Sequence, residues 1–344
     1  MLTLQKTNYQ SWMTHVSTRV DNASTSAVEP LISRIDVIRV TPEQSHGNTT
    51  LVIRVTPERS HGNTTPVIRV TPGRRHGNTT VVTAFFHLDA FRKGDKGRVT
   101  PDMYREWFRK FKYILNPLIV YTDSSEFAQL VKVIRDNASN TVVVEVNRNS
   151  FWAFAHYQKI SELYSQNDYP KHYPNTVIPG YACVQMAKYD ALERAREQNF
   201  FSTEYYMWLD VGYFRDRTST NYFFLSKPYG FNDSLVAINL VSAKSSMDIP
   251  ITTIFHRNLV WVGGGLVFMH RELVLPFTRQ FREAASYVLS RNLMNTDQQI
   301  VYAMYSSEGR AALHPRIELV LHRPPTDNQW FHLGYSLMHE VPSS

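Results

Sequence analysis

The stretch PLIVYTDSSEFAQLVKVIRDNASNTVVVEV, residues 117–146, decides the fold class of this 344-residue chain. It begins and ends with short apolar runs, 117–122 and 141–146, which are typical of strands buried on both faces. Between them an apolar stripe at helical spacing predicts an amphipathic helix, formed by Phe127, Leu130, Val131 and Ile134. A strand, a helix and a second strand with short links predict a parallel α/β sheet.

The same alternation continues on both sides of this stretch. In chain order we predict a strand at 81–86, a helix from Thr100–Pro101, a helix from about 181 to 196, a strand at 205–210, strands at 235–240 and 261–269, a helix that Pro276 opens and a helix that Asn295–Thr296 caps. The sequence therefore predicts one mostly parallel α/β domain over residues 82–335, followed by a tail at 336–344.

The N-terminal part of the chain is different in character. Residues 37–81 are three near-copies of a 15-residue unit, VIRVTPEQSHGNTTL, VIRVTPERSHGNTTP and VIRVTPGRRHGNTTV. Each unit combines a short β-like run, a Thr-Pro break and a His-Gly-Asn turn. The units could stack as a β-solenoid, but each has few large apolar residues to offset chain entropy. We therefore predict a weakly ordered repeat leader, and a poorly ordered segment at 1–36, which lacks periodicity.

Charge and cysteine content exclude several classes of function. The formal net charge is +7, and residues 1–81 contribute +4 of it (nine Lys/Arg, five Asp/Glu), which leaves +3 for the remaining 263 residues. Such a small net positive charge argues against a nucleic-acid partner. The single cysteine, Cys183, excludes an intramolecular disulfide and a cysteine-based metal site.

Localisation follows from the apolar runs. We find neither a signal peptide nor an apolar run long enough to span a membrane, so the sequence by itself predicts a cytoplasmic protein. The alternative is the secretory pathway or the Golgi, if a signal anchor is missing from the N-terminus.

Two aspartates stand at the carboxyl ends of predicted strands. Asp210 lies within EYYMWLDVGYFRD, residues 204–216, and Asp123 follows the strand at 117–122. In open α/β sheets, ligands bind beyond the carboxyl ends of the strands, and a buried carboxylate without a partner is costly. Both aspartates are therefore candidates for a binding site. Asp123 could instead cap the following helix, and Asp210 could accept backbone hydrogen bonds.

Two later segments add candidate site residues. VWVGGGLVF, residues 260–268, contains a triple glycine that forms either a ligand-binding loop or a bulge. NTDQQ, residues 295–299, places Asp297 and Gln298 at a helix start, where they could bind sugar hydroxyls or simply complement the helix dipole. Lys188, on the helix before the strand at 205–210, could bind a phosphate as a point charge.

The order of these segments resembles the GT-A class of nucleotide-sugar glycosyltransferases and, more closely, the HtrL/YibB family of glycosyltransferase-like proteins. The matching phrases span roughly residues 80–310 and include NPLIVYTDSSEF, YPKHYPNTVIPGYACVQMAKYDAL, EYYMWLDVGYFRD, VWVGGGLVF and LMNTDQQIVYAMYS. The resemblance implies a GT-A-like fold. It also implies transfer of a sugar from a nucleoside diphosphate sugar to a glycan, lipid or protein acceptor.

The resemblance also implies roles for the candidate residues. Asp210 and Asp216 would hold Mn²⁺ or Mg²⁺, but Gly212 stands where an Asp-x-Asp motif has its second carboxylate, so Asp210 could contact ribose or the sugar directly. Asp210 and Asp297 are the catalytic candidates. The donor-binding candidates are Asp123, Lys188, Asp210, Gly263, Gly264, Gly265 and Gln298. The alternative function is a non-catalytic binding protein that keeps the fold.

Overall fold

The structure is a computed structural model of the 344-residue chain, and it describes residues 38–40, 51–55, 78–94, 97–135, 138–326 and 329–341. For residues 38–40 and 51–55 only the backbone is described. The expectations for residues 1–36, and for most of the repeat at 37–81, lie outside the described residues.

The described residues form thirteen strands, six of which lie on the predicted apolar runs. In chain order they are β1 (Ile38–Val40), β2 (Leu51–Val55), β3 (Thr79–Phe85), β4 (Phe91–Arg92), β5 (Arg98–Val99), β6 (Leu118–Thr122), β7 (Thr141–Glu145), β8 (Tyr205–Leu209), β9 (Phe223–Leu225), β10 (Leu235–Leu240), β11 (Val262–His270), β12 (Glu318–His322) and β13 (Met338–Glu340).

The helices lie between these strands. They are α1 (Pro101–Phe108), α2 (Ser125–Ile134), α3 (Trp152–Ala155), α4 (Tyr157–Ser165), α5 (Pro179–Gln198), α6 (Ile251–His256), α7 (Arg271–Ser290), α8 (Asp297–Tyr305), α9 (Ser307–Leu313) and α10 (His332–Ser336), with 3₁₀ turns at Arg109–Tyr113 and Arg148–Ser150. No helix within the described residues combines the length and the apolar character that crossing a bilayer requires.

The large sheet has the strand order β1-β2-β7-β6-β3-β8-β11-β10-β12. Neighbouring strands from β2 to β8 are parallel, β11 runs antiparallel to both β8 and β10, and β12 is parallel to β10. The seven strands from β7 to β12 in this order form a mostly parallel central sheet. The predicted mixed α/β architecture is therefore confirmed.

Successive side chains of the central strands pack into two different layers. Val82 and Trp208 belong to a core shared with α5, α7 and α8, whereas Val81 and Met207 belong to a core shared with α1 and α2. This alternation follows from the period of two along a strand. Both faces are covered by helices, which explains why these strands are continuous apolar runs rather than alternating ones.

Two predicted helix starts differ from the structure. The helix predicted to open at Pro276 begins at Arg271, where the His270 side chain accepts a hydrogen bond from the backbone N–H of Glu272 (3.4 Å). Pro276 lies inside α7, at the cost of one backbone bond, because buried Val274 and Phe277 beside it hold the helix in the core. The cap of α2 is Ser124, which accepts from Phe127 N (3.2 Å), and not Asp123.

The C-terminal part of the chain adds two strands that the sequence pattern did not predict. β12 extends the sheet beyond β10, and β13 pairs with β9 in a separate two-stranded ribbon. The ion pair between Arg217 and Glu340 (2.7 Å) holds the ribbon's end. As a result, the segment between β12 and β13 lies beside the carboxyl ends of the central strands.

Candidate functional site

A pocket of about 990 Å³ opens at the carboxyl ends of β3 and β8. Ala84 and Phe85 of β3, Phe86 directly after it, Trp208 of β8 and Asp210 directly after β8 line this pocket. Aromatic side chains form much of its apolar surface, among them Phe91, Tyr104, Trp107, Tyr173, Tyr181, Trp330, Phe331 and Tyr335. A concave, mostly apolar site with a few polar groups, at the carboxyl edge of an α/β sheet, is where such folds bind small molecules.

Asp210 is the strand-end carboxylate of this pocket. Its backbone N–H donates to the Gly265 carbonyl (2.9 Å), and its Oδ1 accepts from Trp208 Nε1 (2.6 Å). The side chain is 39% exposed. The two hydrogen bonds fix the carboxylate, while Oδ2 receives no hydrogen bond from the described residues and is available to a ligand.

Lys188 lies beneath Asp210 and is almost completely buried. It projects from α5, and its Nζ contacts the Gly264 carbonyl (2.8 Å), Asp297 Oδ2 (2.9 Å) and, at longer range, Asp210 Oδ1 (3.7 Å). Burial lowers the pKa of Lys188, but the two carboxylates outweigh burial and the pKa is raised overall. The lysine is therefore charged at neutral pH, and its ammonium forms ion pairs with both aspartates.

Asp297 forms the other side of this buried ion pair. It is the first residue of α8, whose start is fixed by a capping box between Thr296 and Gln299. The carboxylate is 1% exposed and does not line the pocket, and burial raises its pKa although Lys188 opposes the shift. The backbone N–H of Gln298 donates a hydrogen bond to the carboxylate and, like Lys188, opposes the rise in its pKa.

Gly264 allows the close contact between these groups. The register between β10 and β11 shifts after Ile238, so that Asn239 pairs with Gly263 and residues 264–266 bulge out of the ladder. A Cβ at position 264 would overlap Asp297 Oδ2 and approach Lys188 Nζ to 3.0 Å. The triple glycine thus forms a bulge in this ladder, and the Gly264 carbonyl accepts a hydrogen bond from Lys188.

The space beside Gly212 is filled by an aromatic ring. A Cβ on Gly212 would lie 2.8 Å from Trp107 Cε3, so a larger residue there would displace the indole ring. Asp216 lines the pocket with a side chain that is 75% exposed, and it lies 3.8 Å from Arg215 Nε. Within the described ranges, no three His, Cys, Asp or Glu side chains cluster in a way that could hold a metal ion.

Asp123 lies outside the pocket lining, at the end of β6. One oxygen accepts from His87 N (2.9 Å), the other pairs with Arg148, and the side chain is 10% exposed. This carboxylate connects the loops that follow β3 and β7.

The remaining predicted residues also fall into two groups, those that line the pocket and those that do not. Gly265 and Gln298 line the pocket, whereas Gly263 faces Val241 and Trp330 and does not. The structure therefore brings Lys188, Asp210, Asp216, Gly265 and Gln298 to one pocket, with Asp297 and Gly264 directly behind it.

Sequence reasoning missed several pocket residues. Arg215 is five residues after Asp210, and Lys93 lies in the Phe-Arg-Lys-Gly loop after β3, so a position in a loop that follows a parallel strand could have indicated both. Trp107 and Tyr104 belong to the helix that follows the same loop. Trp330 and Phe331 carry no such sequence signal.

Comparison with known families identifies this chain. The family described as "Bacterial protein of unknown function (HtrL_YibB)" matches residues 77–313, which is more than half of the chain and includes most of the pocket. A comparison with curated proteins gives no match. The chain therefore belongs to the HtrL/YibB family, as its motifs indicated.

Proposed function

We propose that this member of the HtrL/YibB family is a glycosyltransferase. It would bind a nucleoside diphosphate sugar in the pocket and transfer the sugar to a glycan, lipid or protein acceptor. The observation that carries the proposal is Asp210, a fixed and half-exposed carboxylate at the end of β8 in a pocket of about 990 Å³. A volume of this size suits a nucleotide sugar, and the aromatic wall offers stacking surfaces for a base or a sugar ring.

The charge balance of the pocket supports a divalent cation. Among the described residues, Lys93, Lys188 and Arg215 are balanced by Asp210, Asp216 and the adjacent Asp297. A bound diphosphate would therefore add about two uncompensated negative charges, which one Mn²⁺ or Mg²⁺ neutralises. Asp210 and Asp216 are the residues that would hold this ion together with phosphate oxygens, and the ion would stabilise the leaving diphosphate as a Lewis acid.

In this proposal the other residues position Asp210. Lys188 binds the Gly264 carbonyl and lies 3.7 Å from Asp210 Oδ1, so it fixes the bulge and the carboxylate together. Asp297 is buried behind Lys188 and has no surface in the pocket, so we assign it to holding Lys188 rather than to contact with the acceptor. Transfer breaks the bond between the anomeric carbon and the diphosphate oxygen and forms one between that carbon and an acceptor hydroxyl oxygen, whose proton is released to solvent. Fixed charges that stabilise the leaving diphosphate supply the main catalytic effect.

A second candidate is a binding protein without transferase activity. It is favoured by Trp107, which occupies the space that a second carboxylate at position 212 would need. With one strand-end carboxylate, the pocket could bind a nucleotide sugar and release it unchanged.

The test is a thermal-shift panel on the full chain with UDP, GDP, CDP and ADP, each with and without Mn²⁺. Asp210→Asn is the test variant, and Asp123→Asn is the matched control because it also changes a strand-end aspartate. We expect one nucleotide to raise the Tm of the wild type and of Asp123→Asn, and the shift to be lost in Asp210→Asn.

The outcomes separate the two candidates. If no nucleotide shifts the wild type, the transferase proposal is wrong. If the nucleotide binds, the matching nucleotide sugar is incubated with the protein, and release of free nucleoside diphosphate is measured. Release supports the transferase, and binding without release supports the binding protein. An unchanged shift in Asp210→Asn would contradict the assignment of Asp210.

A further inference from the structure

Three cations line the pocket, and they differ in how much of their charge is already compensated. They are Lys93, Lys188 and Arg215. An anionic ligand needs N–H donors that are not used inside the protein. In the proposed function only Asp210 and Asp216 act on the phosphates, through the metal ion. Which of the three cations also binds the phosphates depends on the donors that each has free.

Lys188 has no capacity for a phosphate. Its ammonium has three N–H donors, and the Gly264 carbonyl, Asp297 and Asp210 surround it at 2.8, 2.9 and 3.7 Å. Its side chain is 2% exposed. A phosphate oxygen would have to displace one of these partners and leave a buried acceptor or carboxylate without its donor, which is costly.

Arg215 is held between two aromatic rings. Its guanidinium lies 5.4 Å from the ring centroid of Trp107 and 4.5 Å from that of Phe331, and one nitrogen donates to the Gly212 carbonyl (3.1 Å). The nearest carboxylate in an ion pair with it, Asp216, is 3.8 Å away and mostly exposed. The guanidinium is thus fixed by stacking, while most of its five donors remain available to a ligand.

Lys93 approaches the same pocket from the loop between β4 and β5. Its Nζ lies 5.8 Å from the ring centroid of Tyr181, and no carboxylate among the described residues forms an ion pair with it. Burial raises the pKa of Tyr104, Lys93 and Arg215 oppose that rise, and Asp210 adds to it. Lys93, Arg215 and Asp210 line the same pocket as Tyr104.

We propose that Lys93 and Arg215 bind the diphosphate of the donor on the aromatic side of the pocket, and that Lys188 does not contact it. This inference rests on the proposed function and deepens it. It places the phosphates between α1, the loop that contains Lys93 and the loop that follows β8. The two cations approach from different loops, and a planar guanidinium can bind two phosphate oxygens at once.

The experiment is isothermal titration of the full chain with inorganic pyrophosphate and with the nucleoside diphosphate that stabilises the wild type. The variants are Lys93→Gln and Arg215→Gln, with Lys112→Gln and Arg279→Gln as controls because these exposed residues do not line the pocket. Loss of one charge-assisted hydrogen bond should weaken binding by about tenfold to a hundredfold. We expect the controls to bind both ligands like the wild type.

A further variant distinguishes loss of charge from misfolding, and a further ligand distinguishes binding of the phosphates from binding of the base. Arg215→Lys keeps the positive charge, so we expect it to lose less affinity than Arg215→Gln. The corresponding nucleoside, which has no phosphate, should bind the wild type and both test variants equally.

Each outcome has one meaning. Wild-type affinity for pyrophosphate and nucleotide in both test variants would overturn the inference and leave the proposed function intact. Failure of the wild type to bind pyrophosphate and every nucleotide would overturn both. Equal losses for the nucleoside and the nucleotide would place the effect on the base or on folding, which also contradicts the inference.

Discussion

The ends of β6 and β8 carry aspartates with the same sequence signature but different surroundings. Asp123 follows β6, pairs with Arg148, accepts from His87 N and is 10% exposed. Asp210 follows β8, accepts from Trp208 Nε1 and is 39% exposed. The first carboxylate is fully used inside the protein, whereas the second keeps one oxygen for a ligand.

The difference depends on residues that are remote in sequence. Arg148 lies 25 residues after Asp123 and reaches it because β7 is parallel to β6, so that the carboxyl ends of both strands meet. Beside β8 stands β11, which is antiparallel and bulged, and it presents backbone carbonyls instead of a cation. The two aspartates therefore differ in their cations: Arg148 pairs closely with Asp123, whereas Lys188 is 3.7 Å from Asp210 and is shared with Asp297.

The largest expected effect comes from breaking the ion pair beneath Asp210. Lys188→Met removes the only charge partner of buried Asp297 within the described residues, and an uncompensated buried charge should lower the free energy of unfolding by about 3 to 5 kcal/mol. Urea denaturation of the wild type and the variant measures the loss.

The matched control is the double variant Lys188→Met/Asp297→Asn, which removes both charges. We expect it to recover most of the lost stability, because no buried charge then remains without a partner. A double variant as unstable as Lys188→Met would contradict the coupling between the two residues.

A smaller effect is expected at the end of β6. Asp123→Asn keeps an acceptor for His87 N but loses the ion pair with Arg148, so we expect a loss of about 1 to 3 kcal/mol in the free energy of unfolding. The same urea denaturation measures it. A variant as stable as the wild type would show that Asp123, like Asp210, is not committed to the fold.

At the end of β8 the expectation for stability is smaller still. Asp210→Asn can still accept from Trp208 Nε1, and the side chain is 39% exposed, so the free energy of unfolding should change by less than about 1 kcal/mol. The opposite order, with Asp210→Asn more destabilising than Asp123→Asn, would contradict the distinction between the two strand ends.

Local patterns predicted most of the elements that surround the site. The helix expected at 181–196 is Pro179–Gln198, the strand expected at 205–210 is Tyr205–Leu209, and the cap at Asn295–Thr296 is a capping box on Thr296. These features depend on apolar periodicity and on residues within one helical turn, so the sequence contains them directly.

Contacts between remote segments could not be predicted in this way. Nothing near Trp330 indicates that it lines the pocket, because its position depends on Asn239, which accepts from Leu333 N (3.1 Å) and donates to the Gln329 carbonyl (2.9 Å). Lys188 and Asp297 were both singled out, but as separate residues. Their pairing requires α5 and α8 to meet at the bulge of β11, which is a property of tertiary packing.

The smallest expected effect is a pH dependence that sharpens the role of Lys188. Its pKa in the folded protein is raised from the ordinary value of 10.5, with burial opposing the shift and Asp210 and Asp297 producing it. A raised pKa of a lysine adds stability that is fully present below the unfolded pKa and is lost as the pH rises through the folded pKa.

The difference in free energy of unfolding between the wild type and Lys188→Met/Asp297→Asn should therefore stay constant from about pH 7 to 10 and shift in favour of the double variant at higher pH. Urea denaturation across this range measures the difference. A change that sets in below about pH 9 would mean that Lys188 loses its proton more easily than a free lysine. In that case burial, rather than the two aspartates, would determine the pKa of Lys188.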